Sequence, residues 1–174
     1  MNILNVREYI ETFLKIRTKD GTLMPLRLNQ PQDRMYQAVK SQWDAGKPVR
    51  IIVLKARQIS TLTEAIIFAI TATRFYTDCM IVAHKDEATA NLFRMSLRYY
   101  ENLPEPMKPM RKASNAHELV FDKPAHYKGR RPGLGSSIKC ATAGGSGVGR
   151  SATLRCLHLS EFAFWPGDKR ETLA

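Results

Sequence analysis

The fold is decided by the stretch Val49-Arg-Ile-Ile-Val-Leu-Lys-Ala-Arg-Gln-Ile-Ser-Thr-Leu-Thr-Glu-Ala65. It begins as an apolar run, breaks into a short turn with basic and hydroxyl side chains, and resumes as a helical pattern. A buried strand, a turn and a helix in this order are typical of a phosphate-binding loop, because the turn presents backbone N–H groups and the helix directs its positive N-terminus at the same point. Such loops usually contain glycine, which tolerates the positive φ angles of a tight curl. No glycine occurs between Gly46 and Gly129, so the predicted loop has an unusual composition.

The composition describes a globular protein with one core. The chain has 174 residues, of which 44% are hydrophobic, and this length is enough for a single sizeable domain. No apolar run approaches the roughly 20 residues that span a bilayer, and the N-terminus lacks the order of a signal peptide. The cysteines Cys79, Cys140 and Cys156 are odd in number and widely spaced. We therefore expect buried thiols in a reducing compartment, and neither a disulfide framework nor a zinc site.

The positive charge is concentrated in one part of the chain. The net charge is +11, and residues 107–150 carry nine Lys or Arg against two acids. Such an excess attracts polyanions and favours nucleic acid as a partner, although an ordinary solvated face is the alternative for a charge run alone. Lys128, Arg130 and Arg131 are the candidate DNA contacts.

Hydrophobic periodicity predicts alternating helices and strands before Pro104 and a basic, irregular region after it. This rhythm predicts an α/β fold with a mostly parallel central sheet and helices on both faces. We expect one domain over residues 1–174, with a lead-in over 1–30 and a nucleotide-binding core over 31–174 that is incomplete at the C-terminus. The predicted helices cover about 6–15, 32–46, 62–73 and 86–103, and the predicted extended segments are 23–28, 49–54, 79–83, 118–121, 137–143 and 154–159.

A second candidate phosphate loop is Gly144-Gly-Ser-Gly-Val-Gly-Arg-Ser151. Its spacing fits G-x-x-x-x-G-[K]-S with Arg150 in the lysine position. The mechanism also needs a helix directly after the loop, and only four residues separate Ser151 from the next apolar run. We therefore interpret this segment as a flexible connection and place the phosphate loop at Lys55.

A nucleotide site also needs a carboxylate at the end of a neighbouring strand. The run Leu157-His-Leu-Ser-Glu161 supplies one. A carboxylate at this position can act as general base for water that attacks a γ-phosphate, and a solvated strand-end Glu is the simpler alternative. The four histidines have no metal-ligand spacing, and we expect His158 to be a histidine of the core or of the second face of the sheet.

Several segments in a fixed order resemble the ATPase domain of tailed-phage terminase large subunits. The resemblance runs from about residue 25 to the C-terminus. It implies an additional-strand type of P-loop nucleotidase that binds ATP and Mg²⁺ and drives double-stranded viral DNA through a portal into a capsid. The segments are Val53-Leu-Lys-Ala-Arg-Gln with Ser60-Thr61, Ile81-Val-Ala-His84, Thr142-Ala-Gly-Gly, Gly149-Arg-Ser151 and His158-Leu-Ser-Glu-Phe-Ala-Phe-Trp165.

The resemblance assigns roles to individual residues. Gln32, with Gln30 nearby, matches the glutamine that reads adenine, and Glu161 matches the catalytic carboxylate. Arg150 is a candidate charge-stabilising arginine. The positions that match the phosphate loop are Lys55, Arg57, Gln58, Ser60 and Thr61, and those that face the metal are Ser60, Thr61, Ser160 and Glu161.

The resemblance also implies partners and a location. These are a portal protein, a small terminase subunit, a ring of identical subunits, and the cytoplasm of an infected bacterium at the capsid portal. The acidic cluster of the family's nuclease domain has no counterpart in these residues, so we expect no DNA cleavage.

One departure from the family keeps two other functions open. The family loop resembles K-A-R-Q-x-G-x-S-T, and two residues including the glycine are missing between Gln58 and Ser60. A loop shortened there is expected to hold the β-phosphate poorly. The first alternative is therefore an inactive remnant that binds DNA or other subunits through its basic surface. The second is a helicase-like ATPase, for which the strand-separating motifs are not found.

Overall fold

The computed structural model describes residues 5–54, 61–144 and 153–167. Within these ranges the chain forms four α-helices, seven strands and two short 3₁₀ helices. Their bounds are α1 Val6–Phe13, β1 Lys15–Arg17, β2 Leu23–Pro25, α2 Gln30–Asp44, α3 Thr61–Thr73, β3 Asp78–Ala83, α4 Asp86–Glu101, a 3₁₀ helix Glu105–Met107, β4 Ala113–Ser114, β5 Glu118–Phe121, β6 Ser136–Thr142, β7 Cys156–Leu159 and a 3₁₀ helix Phe162–Phe164.

Local capping explains where the first two helices begin. The Asn5 side chain accepts a hydrogen bond from the Arg7 backbone N–H at the start of α1. Asn29 and Gln32 form a complete capping box at the start of α2, where Pro31 occupies the first turn. Side-chain oxygens at these positions satisfy backbone N–H groups that have no partner inside the helix.

The central sheet has five strands in the order β4-β5-β6-β3-β7. Strand β3 pairs in parallel with β6 on one side and with β7 on the other, whereas the β4-β5 and β5-β6 pairs are antiparallel. The prediction of an α/β protein is confirmed, but the sheet is mixed rather than mostly parallel. The reason is that residues 122–135 join β5 to β6 as a loop without a helix, so the chain reverses direction between adjacent strands.

The core lies on one face of this sheet. Buried side chains of all four α-helices form one cluster with Cys79, Ile81, Ile138 and their neighbours on the same face. On the other face, Met80 and Val82 contact a smaller cluster that includes Trp165, and no α-helix contributes to it within the described ranges. The expectation of helices on both faces is therefore wrong for this part of the chain. Helices α3 and α4 both pack against β3 and β6 on the same side of the sheet.

The segment 49–54 is not a strand, which corrects the prediction of a buried strand there. It follows α2 without sheet pairing, and Ile52 and Leu54 are 94% and 97% exposed. The backbone of Arg50 is instead engaged by the Gln42 side chain of α2, which accepts from its N–H at 2.9 Å and donates to its carbonyl at 3.4 Å. The hydrogen-bonding groups of the Arg50 backbone are thus partly satisfied by a helix side chain.

The helices within residues 5–54, 61–144 and 153–167 include none with the length and apolar character of a membrane span.

Candidate functional site

The candidate site lies where the parallel strands β3 and β7 end. His84 follows β3, and Ser160 and Glu161 follow β7. Ligands of α/β proteins usually bind outside the carboxyl ends of the parallel strands. The His84 ring lies 6.2 Å from the Phe164 ring, and its Nδ1 is buried with no hydrogen-bond partner among the residues that the structure describes. The ends of β3 and β7 therefore lie next to each other.

Glu161 has an unusual backbone conformation. Its φ and ψ angles are 54° and 39°, which is the left-handed region, and it immediately precedes the 3₁₀ helix Phe162–Phe164. The conformation costs a non-glycine residue roughly 1–2 kcal/mol. Hydrogen bonds on either side maintain it: Phe164 N–H donates to the Glu161 carbonyl at 2.9 Å, and Trp165 Nε1 donates to the Ser160 carbonyl at 3.0 Å. Strained residues of this kind concentrate at functional sites, and here the strained residue is the predicted catalytic carboxylate.

Helix α3 contacts strand β7 through a side chain of its first turn. Thr61 is its first residue, and Glu64 follows one turn later on the same side. The Glu64 side chain is fully buried, and its Oε1 lies 2.8 Å from Nδ1 of His158, which is 16% exposed. The distance is that of an ion pair, although the atoms are not aligned for a hydrogen bond. The contact joins the first turn of α3 to β7, which ends at Leu159, two positions before Glu161.

Glu64 was missed by the sequence predictions. Its buried surroundings also include Tyr99 and Cys140, whose pKa values are raised chiefly by burial and further by the negative charge of Glu64. Tyr99 donates a hydrogen bond to the carbonyl of Thr61 at 3.4 Å. The signal in the sequence was an acidic residue within an otherwise apolar helix, since burying a carboxylate is costly unless it has a partner. His158 was expected in the core, but its partner could not be predicted.

Gln32, the predicted adenine reader, lies in the first turn of α2. Its Oε1 accepts a hydrogen bond from the Asn29 N–H at 3.1 Å, and the residue is 5% exposed. Its amide NH₂ and one lone pair of Oε1 remain to contact a base, whereas the neighbouring alternative, Gln30, is exposed. The capping box thus already uses the side-chain oxygen of Gln32, the residue to which the resemblance assigns adenine recognition.

The C-terminal ends of helices α2 and α3 lie close together. Arg74, directly after α3, lies over the Trp43 ring near the end of α2, with 4.6 Å between the guanidinium carbon and the ring centroid. A cavity of about 190 Å³ beside this contact is lined by Tyr36, Trp43, Ile66 and Arg74, among others. Because Arg74 and Thr61 are at opposite ends of α3, this cavity lies away from the N-terminal turn of the helix.

The remaining predicted phosphate contacts cannot be placed. Lys55, Arg57, Gln58, Ser60 and Arg150 lie outside the described residues. Of the predicted metal-facing residues, Ser160 is buried and Glu161 is exposed, directly after β7. Residues 5–54, 61–144 and 153–167 contain no group of three or more His, Cys, Asp or Glu side chains that could hold a metal ion. A metal at this edge would therefore need hydroxyl ligands or the phosphates of a nucleotide.

The predicted DNA contacts lie near the start of the parallel strands, at the opposite end from the candidate site. Lys128, Arg130 and Arg131 are exposed on the loop 122–135, which begins and ends at the paired residues Phe121 and Ser136. A Cβ atom at Gly133 would collide with the Lys123 backbone nitrogen, so this loop is folded tightly against the end of β5. The basic loop and the candidate carboxylate are thus separated by the length of the parallel strands.

Comparison with models of known protein families gives no match. Comparison with curated proteins gives no significant match either.

Proposed function

We propose that this chain is an ATP-binding domain of the kind found in terminase large subunits, which hydrolyses ATP with Mg²⁺ to drive packaging of double-stranded DNA. The proposal is supported most strongly by one observation. Helix α3, which follows the predicted phosphate loop, contacts β7, the strand that precedes Glu161. The contact is the 2.8 Å approach of Glu64 to His158. A phosphate loop and a catalytic carboxylate must meet in this way for water to attack the γ-phosphate in line.

The residues have distinct roles in the proposed reaction. Glu161 accepts a proton from the attacking water, and its exposed position after β7 makes it accessible to that water. The N-terminus of α3 favours negative charge near Thr61. In the proposal Lys55 and Arg57 neutralise phosphate charge, and Arg150 stabilises the charge that develops on the transferred group.

The oxygen donors near this edge suit Mg²⁺. Thr61 and Ser160 carry hydroxyl groups and Glu161 a carboxylate, and hard oxygen ligands of this kind, completed by waters and substrate phosphates, are those that Mg²⁺ prefers. A bound Mg²⁺ ion would neutralise the charge of the β- and γ-phosphates.

The test compares Glu161→Gln with the unmodified chain. ATP binding should persist, because the amide keeps the shape of the side chain, while turnover should fall by about 10²–10⁴-fold through loss of the general base. Glu101→Gln, which changes an exposed carboxylate at the end of α4, is the matched control and should leave turnover unchanged. Unchanged turnover in Glu161→Gln would remove this residue from the mechanism, and failure of the unmodified chain to bind ATP would refute the nucleotide proposal.

A second candidate function is a DNA- or subunit-binding module without catalysis. Two observations favour it: residues 49–54 do not form the strand that usually delivers a phosphate loop, and the loop 122–135 exposes three cationic side chains. The two functions are distinguished by DNA binding in the absence of any measurable ATP binding. That combination would support the module and exclude the motor.

A further inference from the structure

Two cysteines lie side by side in the sheet, away from the candidate nucleotide site. Cys79 of β3 and Cys156 of β7 are register partners in adjacent parallel strands, so their side chains lie next to each other on the same face of the sheet. Neighbouring strands are about 4.7–4.9 Å apart, and a disulfide spans Cα separations of about 4.4–6.8 Å. The backbone therefore already has a spacing at which these sulfurs can be joined.

The surroundings of the two thiols differ. Cys79 is buried, whereas Cys156 is partly exposed at the start of β7. The hydrogen bond from Cys79 lowers the pKa of Cys156, and the positive charges of Arg155 and Arg74 lower it further. The same hydrogen bond, together with burial, raises the pKa of Cys79. Cys156 is thus the more easily ionised thiol of the pair.

Arg74 is the second positive charge that acts on Cys156. Its Nε is buried and has no hydrogen-bond partner within the described ranges, while its guanidinium lies over the Trp43 ring. A buried polar group without a partner is unfavourable. The positive charge of Arg155 nearby adds repulsion that lowers the pKa of Arg74 after the larger effect of burial. A Cys156 thiolate offsets this accumulation of positive charge.

We propose that Cys156 and Cys79 form a peroxide-reactive dithiol, with Cys156 as the nucleophile and Cys79 as the resolving thiol. The Cys156 thiolate attacks the O–O bond of a hydroperoxide and takes one oxygen as sulfenic acid. The other oxygen leaves, after protonation, as water or an alcohol. The Cys79 sulfur then attacks the sulfenic sulfur, forms the disulfide and releases a second water. The two thiols lose two electrons in total, and the hydroperoxide gains them. This inference does not depend on the proposed ATPase.

The test treats the purified full chain with hydrogen peroxide, blocks the remaining thiols with N-ethylmaleimide, and identifies the products by peptide mass spectrometry. The expected product is an intramolecular Cys79–Cys156 disulfide with Cys140 still reduced, because burial raises the pKa of the Cys140 thiol to about 12. Before oxidation, N-ethylmaleimide should label Cys156 at least about tenfold faster than Cys140. Cys140 is the internal control, so these measurements need no substitution.

Two variants separate the roles. In Cys79→Ser, Cys156 should accumulate as a sulfenic acid that dimedone traps, because the resolving thiol is missing. In Arg74→Gln, the reaction of Cys156 with peroxide should slow severalfold, because one stabilising charge is removed. Equal labelling of Cys156 and Cys140 in the folded chain would overturn the proposal. So would peroxide oxidation that yields no Cys79–Cys156 disulfide, and both results can be obtained with the unmodified chain.

Discussion

The contact between Glu64 and His158 can be broken by the substitution His158→Leu. Glu64 is fully buried, and the imidazole is the group that approaches its carboxylate at 2.8 Å. Neither Glu64 carboxylate oxygen has a hydrogen bond to another described residue. Removal of the imidazole therefore leaves a buried carboxyl group without this polar partner. Leaving a buried polar group unpartnered costs about 1–3 kcal/mol, and more for a charged group, which is a large part of the roughly 5–15 kcal/mol that stabilises a typical domain.

Urea unfolding followed by circular dichroism measures this destabilisation, and a double-mutant cycle assigns it to the pair. The cycle uses Glu64→Leu, His158→Leu and the double variant, in which apolar side chains replace both groups. The double variant should be more stable than the sum of the two single effects predicts, with a coupling energy of about 2 kcal/mol. The control His117→Leu removes an exposed histidine and should change stability by at most about 0.5 kcal/mol. Additive single effects, or a destabilisation below about 1 kcal/mol in His158→Leu, would refute the reasoning.

Two further predictions concern Glu161 after β7 and the basic loop before β6. Because Glu161 has a left-handed backbone, Glu161→Gly should be about 1 kcal/mol more stable to urea than Glu161→Ala, which removes the same carboxylate; equal stabilities would contradict the strain. Replacing Arg130 and Arg131 with alanine should reduce the slope of log K against log [salt] for DNA binding by about 1 for each phosphate that these arginines neutralise. Alanine at the exposed Lys19 and Lys40 is the control for charge alone, and an unchanged slope in the arginine variant would place the DNA elsewhere.

Most helices and several strands could be predicted because their signals are local. Periodicity and an Asn cap predicted α1, and the apolar pattern predicted α3, β3 and β5 with bounds close to those observed. The direction of β5 could not be predicted in this way. An extended segment has the same alternation whether it pairs in parallel or antiparallel, and only its connection to β6 decides between them.

The place of a candidate site residue in the fold could be predicted where it depends only on the position at which a strand ends. Glu161 was expected directly after a strand, and it lies there. The Glu64–His158 contact depends instead on how α3 packs against β7, two elements that are far apart in the sequence. An acidic residue in an apolar helix indicates that a partner exists, but it does not identify the partner. The side-chain role of Gln32 in capping was likewise hidden, because the same amide fits both a capping box and a base contact.

The exposed segment 49–54 shows that an apolar composition alone does not make a strand. Apolar composition favours burial, but a strand also needs a sheet edge with which its backbone can pair. Here the side chain of Gln42 in α2 is hydrogen-bonded to the backbone N–H and carbonyl of Arg50 instead. Within the described residues, α3 is positioned near its N-terminus by the apolar packing of the helix, the hydrogen bond from Tyr99 to the Thr61 carbonyl and the contact of Glu64 with His158. The contact with His158 joins α3 to β7, the strand that precedes Glu161. In the proposed function, this buried side-chain pair therefore links the helix that follows the phosphate loop to the strand that carries the carboxylate.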